Sequence, residues 1–250
     1  MPKAPPPAGF ETDLESVPER LARQDRLEPD ELRQVWSMLD GGAIMVADVR
    51  HQLWRSWGLC RRHSWVFAAM EIECLGGQPR ASTVLYEDLV ARGARITDRA
   101  GRLPWRLGRR ALQRRAACLT CEFVQMVHRL GEGRYLISWD RDARTTRRMQ
   151  RLTRTIELIA AAEPAWRGRA CPRCLGGDGP LCRPHLVETA PTPREHRHTV
   201  EALDDLAIRV ARLGRSMTWQ GPPAGPDDRS SWVEALGWAG GWSDAQEIVA

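Results

Sequence analysis

Four pairs of metal-ligand residues, each with two residues between the partners, constrain the fold of this chain more than any other sequence feature. This spacing lets a tight turn, or the first turn of a helix, direct both side chains at one ion. Structural zinc takes four ligands, so these eight residues suffice for two complete Cys3His sites. The pairs are Cys60/His63, Cys118/Cys121, Cys171/Cys174 and Cys182/His185.

The grouping of the four pairs follows from chain distance. The segment 171–185 carries four of the ligands around one turn that is rich in Gly and Pro. A short loop closes with a small loss of chain entropy, which favours a local site within 171–185 and a remote site formed by the other four residues. The alternative is a crossed arrangement that joins Cys118 and Cys121 to Cys182 and His185.

The ligand count favours structural zinc. A catalytic site keeps one position for water, whereas four protein ligands per ion close the coordination shell. Mixed Cys and His ligands also suit zinc better than an iron–sulfur cluster. Structural zinc contributes on the order of 10 kcal/mol, comparable to the ~5–15 kcal/mol stability of a whole domain, so folding is expected to need metal. The remaining cysteine, Cys74, lies on an apolar helical face and is expected in the core.

Apolar residues recur at helical spacing along most of the chain. They predict a mainly α, bundle-like fold that is cross-braced by the two zinc sites. Thr192, Pro193 and Glu195 predict a capped helix start, whereas two Gly and a Pro predict a loop over 97–108. No alternating β-branched run stands out, which supports a mainly α fold, and short β-ribbons at the Cys pairs remain possible because the pattern does not reveal them.

Composition divides the chain into a leader, a domain, a linker and a tail. The leader is Pro-rich and expected to be flexible, and the zinc-stabilised helical domain can be divided into two similar halves at about residue 108. Tryptophans in the tail are expected to complete the domain's own core, with docking on a partner as the alternative. The predicted segments are 1–13, 14–217 (halves 14–108 and 109–217), 218–229 and 230–250.

The basic charge of the chain is concentrated in one region. Arg outnumbers Lys 36 to one and Asn is absent, a composition that indicates a GC-rich genome rather than a nucleic-acid partner. Residues 102–154, however, hold 14 Arg against 4 acidic residues. Four of these arginines recur at helical spacing and predict a stripe of positive charge on one helix face, which suits binding to a phosphate backbone. The alternative is that this helix face is simply exposed to solvent. The four arginines are Arg141, Arg144, Arg148 and Arg151.

Motifs for catalysis do not stand out. The sequence lacks a P-loop, a Rossmann glycine pattern, HExxH and G-x-S-x-G. We therefore expect an interaction or adaptor module with a protein partner. A nucleic-acid-binding protein that uses the Arg-rich helices of 102–154 is second, and a metalloenzyme is a distant third. No secretory signal and no apolar run of ~18 residues is present, so we expect a cytoplasmic protein without a membrane partner.

The order of these motifs resembles an uncharacterised family of bacterial zinc-binding proteins. Its members have two similar halves, each with a Cys-x-x-Cys that opens one helix and a later G-[FL]-C-x-x-H that opens another. The resemblance spans about residues 30–190 and implies a zinc-supported helical architecture with no established activity. This chain lacks the first Cys-x-x-Cys and instead carries CPRC before LCRPH. The matching segments are GLCRRH (58–63), LYEDL (85–89), CLTCEF (118–123), GRYL (133–136) and GPLCRPHL (179–186).

Overall fold

The protein is described by a computed structural model, which covers residues 29–40, 42–130, 149 and 151–242. These ranges contain eleven α-helices and no β-strand, which confirms the predicted mainly α fold. The β-ribbons allowed at the Cys pairs do not form in the described ranges, because helical turns take their place. The helices are α1 (Pro29–Leu39), α2 (Ala47–Ser56), α3 (Arg61–Cys74), α4 (Arg80–Gly101), α5 (Trp105–Leu112), α6 (Leu119–Leu130), α7 (Thr153–Trp166), α8 (Pro172–Leu175), α9 (Arg183–Glu188), α10 (Pro193–Ser216) and α11 (Pro226–Gly240).

Helix α3 is buried along most of its length and fixes the start of two other helices. Glu71 accepts hydrogen bonds from the backbone N–H groups of Ala81 and Ser82 in the first turn of α4. Glu73 accepts one from the N–H of Thr155 at the start of α7, at 2.9 Å. The first N–H groups of a helix have no partner within it and favour negative charge. The two carboxylates therefore fix α4 and α7 against α3.

Helix α11 lies inside the bundle, where it contacts α3, α4, α7, α9 and α10. Every residue from Ser230 to Ala239 is buried. Trp232, Trp238 and Trp242 are at most 3% exposed, so the expectation that they complete the chain's own core is confirmed. The helix also extends across the boundary predicted between linker and tail. The division into segments stays a prediction, and the leader lies outside the described residues.

Aromatic pairs attach this C-terminal segment to the rest of the chain. Each of its three buried tryptophans packs against a tryptophan from an earlier part of the sequence, in geometries that aromatic rings favour. The pairs are Trp57–Trp238, with ring centroids 6.0 Å apart, Trp65–Trp232 at 6.3 Å and Trp166–Trp242 at 5.5 Å.

A buried ion pair joins α10 to α11. Arg209 donates to both carboxylate oxygens of Glu234, at 2.7 and 2.6 Å, and the two residues are 5% and 2% exposed. Ser230 donates a further hydrogen bond to Glu234. A charge in a core needs such partners, since burial without them is costly.

The loop predicted over 97–108 is mostly helical. Helix α4 continues to Gly101 and α5 begins at Trp105. A Cβ atom on Gly108 would lie 2.7 Å from the carbonyl oxygen of Ala100, and one on Gly101 would lie 2.1 Å from the ring of His196. These glycines allow close packing between helices, so the prediction was wrong because it assigned them to a loop.

Of the described helices, none combines the length and the apolar character needed to cross a membrane.

Contact between α4 and α11 depends on one glycine. A Cβ atom on Gly93 would lie 2.1 Å from the Trp238 ring, and overpacking of this kind costs about 1–3 kcal/mol. We predict that Gly93→Ala lowers the melting temperature by roughly 3–10 °C, on the scale of 2–4 °C per kcal/mol for a chain of this size. Gly168→Ala is the matched control, because its Cβ meets nothing within 4 Å. Equal melting temperatures for the two variants would contradict this packing.

Candidate metal centres

The first cluster of ligands forms where α3 and α6 begin. Trp57 and Gly58 both adopt positive φ angles, 56° and 81°, and this reversal of the chain after α2 brings Cys60 to the N-cap of α3. His63 lies in the first turn of α3, and its backbone N–H donates to Cys60 Sγ. Cys118 and Cys121 lie at the start of α6. The chain therefore delivers both pairs on helix starts, which are rigid and close together.

Distances in the first cluster are those of ligands around a common centre. The Nδ1 atom of His63 is 3.2 Å from Cys60 Sγ, 3.5 Å from Cys118 Sγ and 3.4 Å from Cys121 Sγ. The sulfur atoms of Cys60 and Cys121 are 3.9 Å apart. All four ligand atoms lie within 4.8 Å of one another.

The second cluster has the same composition within a short segment. Cys171 is the N-cap of α8, and Gly176, with φ 67°, is its C-cap. Cys182 is the N-cap of α9. The Nδ1 atom of His185 is 3.4 Å from Cys171 Sγ, 3.5 Å from Cys174 Sγ and 3.2 Å from Cys182 Sγ. Cys174 Sγ and Cys182 Sγ are 3.7 Å apart. These four ligand atoms also lie within 4.8 Å of one another.

Both clusters fit a tetrahedral zinc ion. Zinc–sulfur bonds of about 2.3 Å and zinc–nitrogen bonds of about 2.0–2.1 Å place neighbouring sulfur atoms about 3.8 Å apart, and sulfur and nitrogen about 3.6 Å apart. One pair of sulfur atoms in the first cluster is 3.9 Å apart and one pair in the second is 3.7 Å apart. The sulfur–nitrogen distances are 3.2–3.5 Å. One ion fits each cluster with little movement of the ligands.

Hydrogen bonds within each cluster lower the pKa of one of its thiols. The bonds to Cys118 from Cys121, and then from Cys60, hold the pKa of the Cys118 thiol well below its usual value. Those to Cys171 from Cys174, and then from Cys182, do the same for the Cys171 pKa. A lowered pKa favours the thiolate, which is the form of cysteine that binds a metal ion.

The contacts around His63 favour its positively charged, doubly protonated form in the absence of metal. Burial opposes its protonation, but hydrogen bonds with Cys118, Cys60 and Glu31 outweigh this effect and raise the pKa of His63 to about 11. The centre of the cluster thus favours positive charge. A divalent cation supplies that charge and releases the proton on binding.

A carboxylate outside the first cluster orients its histidine. Glu31, on α1, is 7% exposed and its Oε1 atom is 2.9 Å from His63 Nε2. Arg62 donates to the other oxygen of Glu31 at 2.7 Å. With Nδ1 directed at the cluster, Nε2–H donates to Glu31, an arrangement that fixes the ring and strengthens a metal-binding histidine. Sequence reasoning missed Glu31, since no spacing rule connects it to a ligand pair 32 residues away.

Backbone N–H groups support the sulfur atoms of the second cluster. The hydrogen bond with Cys171 raises the pKa of the Cys174 thiol, and the backbone N–H of Trp242, which faces Cys174, opposes this shift. The backbone N–H of Cys182 faces Cys171 and adds to the lowering of its pKa by the neighbouring thiols. Trp242 follows the end of α11. The second cluster is therefore attached directly to the segment that fills the core.

The structure brings the predicted ligands together in the local-plus-remote grouping. The crossed alternative is not formed. Cys74 belongs to neither cluster and packs against the core. In the predicted arginine stripe, Arg151 is described and exposed, whereas Arg141, Arg144 and Arg148 lie outside the described residues.

No family model, curated protein or solved structure matches this chain. Membership of the bacterial zinc-binding family therefore stays a prediction, as do the bacterial origin and the cytoplasmic location. The part of that resemblance that the structure does show is two Cys/His clusters able to hold metal ions.

Glu31 provides a test of the first cluster. Its carboxylate holds His63, so Glu31→Gln is predicted to weaken metal binding there about 10–100-fold, the usual effect of losing such a partner. Stepwise competition with a chromogenic chelator measures this, with the second cluster as internal reference. Glu163→Gln is the matched control, because Glu163 pairs only with Arg167 at the surface in the described structure. Equal metal retention in both variants would contradict the role of Glu31.

Proposed function

We propose that the protein binds two zinc ions in closed Cys3His sites that stabilise its helical fold. The observation that carries this proposal is the convergence of two separate sets of three sulfur atoms and one imidazole nitrogen, each set within 4.8 Å. Thiolate and imidazole ligands in tetrahedral geometry suit zinc above the other common divalent metals.

The two ions hold different parts of the chain. In the first site, zinc joins the starts of α3 and α6, whose ligands His63 and Cys118 are 55 residues apart in sequence. In the second, it closes a short loop that also contacts Trp242. All seven cysteines are free thiols, so metal coordination takes the place that disulfides fill in other small folds.

Closed coordination supports an interaction module over a metalloenzyme. Four protein ligands around each ion leave no position for water or substrate, and thiolates reduce the Lewis acidity of zinc. The metal in this proposal fixes a surface and does not react. Large apolar side chains that are exposed in the described residues support a protein partner. Met45, Val46, Leu103 and Leu107 are 69%, 52%, 51% and 51% exposed, respectively.

Cysteine substitutions test the stoichiometry and the ligand sets together. We predict about two zinc ions per native chain by elemental analysis, about one for Cys121→Ser and about one for Cys174→Ser, because each change removes one of the four ligands that a closed site needs. Cys74→Ser is the matched control and retains two, since Cys74 lies outside both clusters. Loss of zinc from Cys74→Ser, or two ions in either ligand variant, would show that the ligand sets are different.

Metal removal tests the structural role. Each site contributes on the order of 10 kcal/mol, so a chelator is predicted to abolish much of the helical circular dichroism signal. Zinc added back restores it, whereas magnesium does not, because Mg2+ prefers oxygen ligands. An unchanged spectrum from a sample shown to be free of zinc would contradict a structural role for the metal.

A further inference from the structure

An exposed tryptophan and four arginines form one surface across α2, α4 and the segment before α6. We call it the Trp54 surface; it consists of Trp54, Arg92, Arg95, Arg99 and Arg115. Trp54 is 42% exposed. Positions 92, 95 and 99 are three and four residues apart and share one face of α4. The backbone N–H of Arg115 donates to the carbonyl of Arg55, beside Trp54, at 2.8 Å. These contacts bring the three chain segments together.

The Trp54 ring is held in a fixed position. Its Nε1–H donates to Asp88, and Arg92 donates to its backbone carbonyl. The Arg92 guanidinium lies 5.5 Å from the centroid of Trp54 and 4.5 Å from that of the buried Trp57. A flat aromatic group held in this way loses little conformational freedom when another ring stacks on it.

The positive charges of the Trp54 surface are available to a ligand. Arg95, Arg99 and Arg115 are exposed, and within the described part of the chain they form no ion pair with a carboxylate. Burial lowers the Arg92 pKa, the charge of Asp88 opposes this shift, and the nearby Arg115 and Arg95 lower the pKa further, which places these charges close together.

The two neighbouring acids on α4 are already paired. Asp88 accepts from Arg50 at 3.0 Å, and Asp98 accepts from Arg102 at 2.8 Å. Each carboxylate therefore has its own cation nearby. The Trp54 surface keeps a net positive charge beside its exposed ring.

We propose that the Trp54 surface binds single-stranded nucleic acid, with a base stacked on Trp54 and phosphates at Arg95, Arg99 and Arg115. Single strands combine unpaired bases with closely spaced phosphates, and proteins bind them with aromatic platforms beside basic residues. Arginine pairs well with phosphate because its planar guanidinium forms two parallel hydrogen bonds. This surface differs from the predicted stripe at residues 141–151, and its activity is separate from the zinc-supported folding proposed above.

A membrane surface fits these residues less well. Interfacial binding needs an apolar face that enters the lipid. Trp54 instead has the Arg92 guanidinium over its ring, and its Nε1–H is bound to Asp88. Anionic vesicles therefore serve as the contrasting probe.

The test uses the full-length, zinc-loaded protein and a fluorescein-labelled RNA of mixed sequence, about 20 nucleotides long. Fluorescence anisotropy at about 50 and about 200 mM NaCl measures affinity and its salt dependence. The triple variant Arg95→Glu/Arg99→Glu/Arg115→Glu is compared with Arg194→Glu/Arg197→Glu/Arg212→Glu. The control arginines are exposed on α10, and both sets change the net charge equally. Trp54→Ala is compared with Trp219→Ala, since Trp219 is 97% exposed and lies outside the surface.

The proposal expects the first triple variant to bind at least about tenfold more weakly than its control. Its slope of log affinity against log salt falls by about two, at about 0.7 per phosphate contact for single strands. Trp54→Ala weakens single-strand binding about tenfold and leaves duplex binding unchanged, whereas Trp219→Ala changes neither. Circular dichroism and zinc content show that each variant is folded. The proposal is overturned if the protein does not bind RNA at low salt, or if the two triple variants lose affinity for RNA equally. It is also overturned if duplex affinity matches or exceeds single-strand affinity, or if the protein binds anionic vesicles instead of RNA.

Discussion

The convergence of three sulfur atoms and one imidazole nitrogen at each of two centres is the constraint on which this structure depends. In each cluster the three sulfur atoms lie within 4.8 Å of one another and of an imidazole nitrogen, and cysteine and histidine bind a metal ion through their deprotonated atoms. Under the proposed function, zinc occupies each centre with a fixed geometry and on the order of 10 kcal/mol of binding energy. The starts of α3, α6, α8 and α9 meet around these two centres, so an ion bound at each centre links these helices directly.

The surrounding fold connects the two centres to the core. Glu31 extends the first centre to α1, and Trp242 links the second to the end of α11. Between them, α3 directs Glu71 and Glu73 at the starts of α4 and α7. Hydrogen bonds from helix starts to buried carboxylates therefore fix the relative positions of helices whose shared core contains paired tryptophans.

Sequence reasoning was most successful where chemistry requires a local pattern. The ligand pairs, the helix start at Cys60 and the capping box of Thr192 and Glu195 each depend on residues three apart, and the structure contains all of them. It failed where the reason is tertiary. Gly101 and Gly108 indicated a loop, but they permit close packing of helices. Glu31 carries no local signal because its partner is distant in sequence, and the central position of α11 follows from contacts with five helices.

Zinc K-edge X-ray absorption spectroscopy of the purified protein tests the central claim most directly, because it reads the ligands of the bound ion itself. The account predicts a four-coordinate first shell that averages three sulfur atoms at about 2.3 Å and one nitrogen atom at about 2.0–2.1 Å per zinc. A first shell that contains oxygen, or fewer than three sulfur atoms per ion, would contradict two closed Cys3His sites.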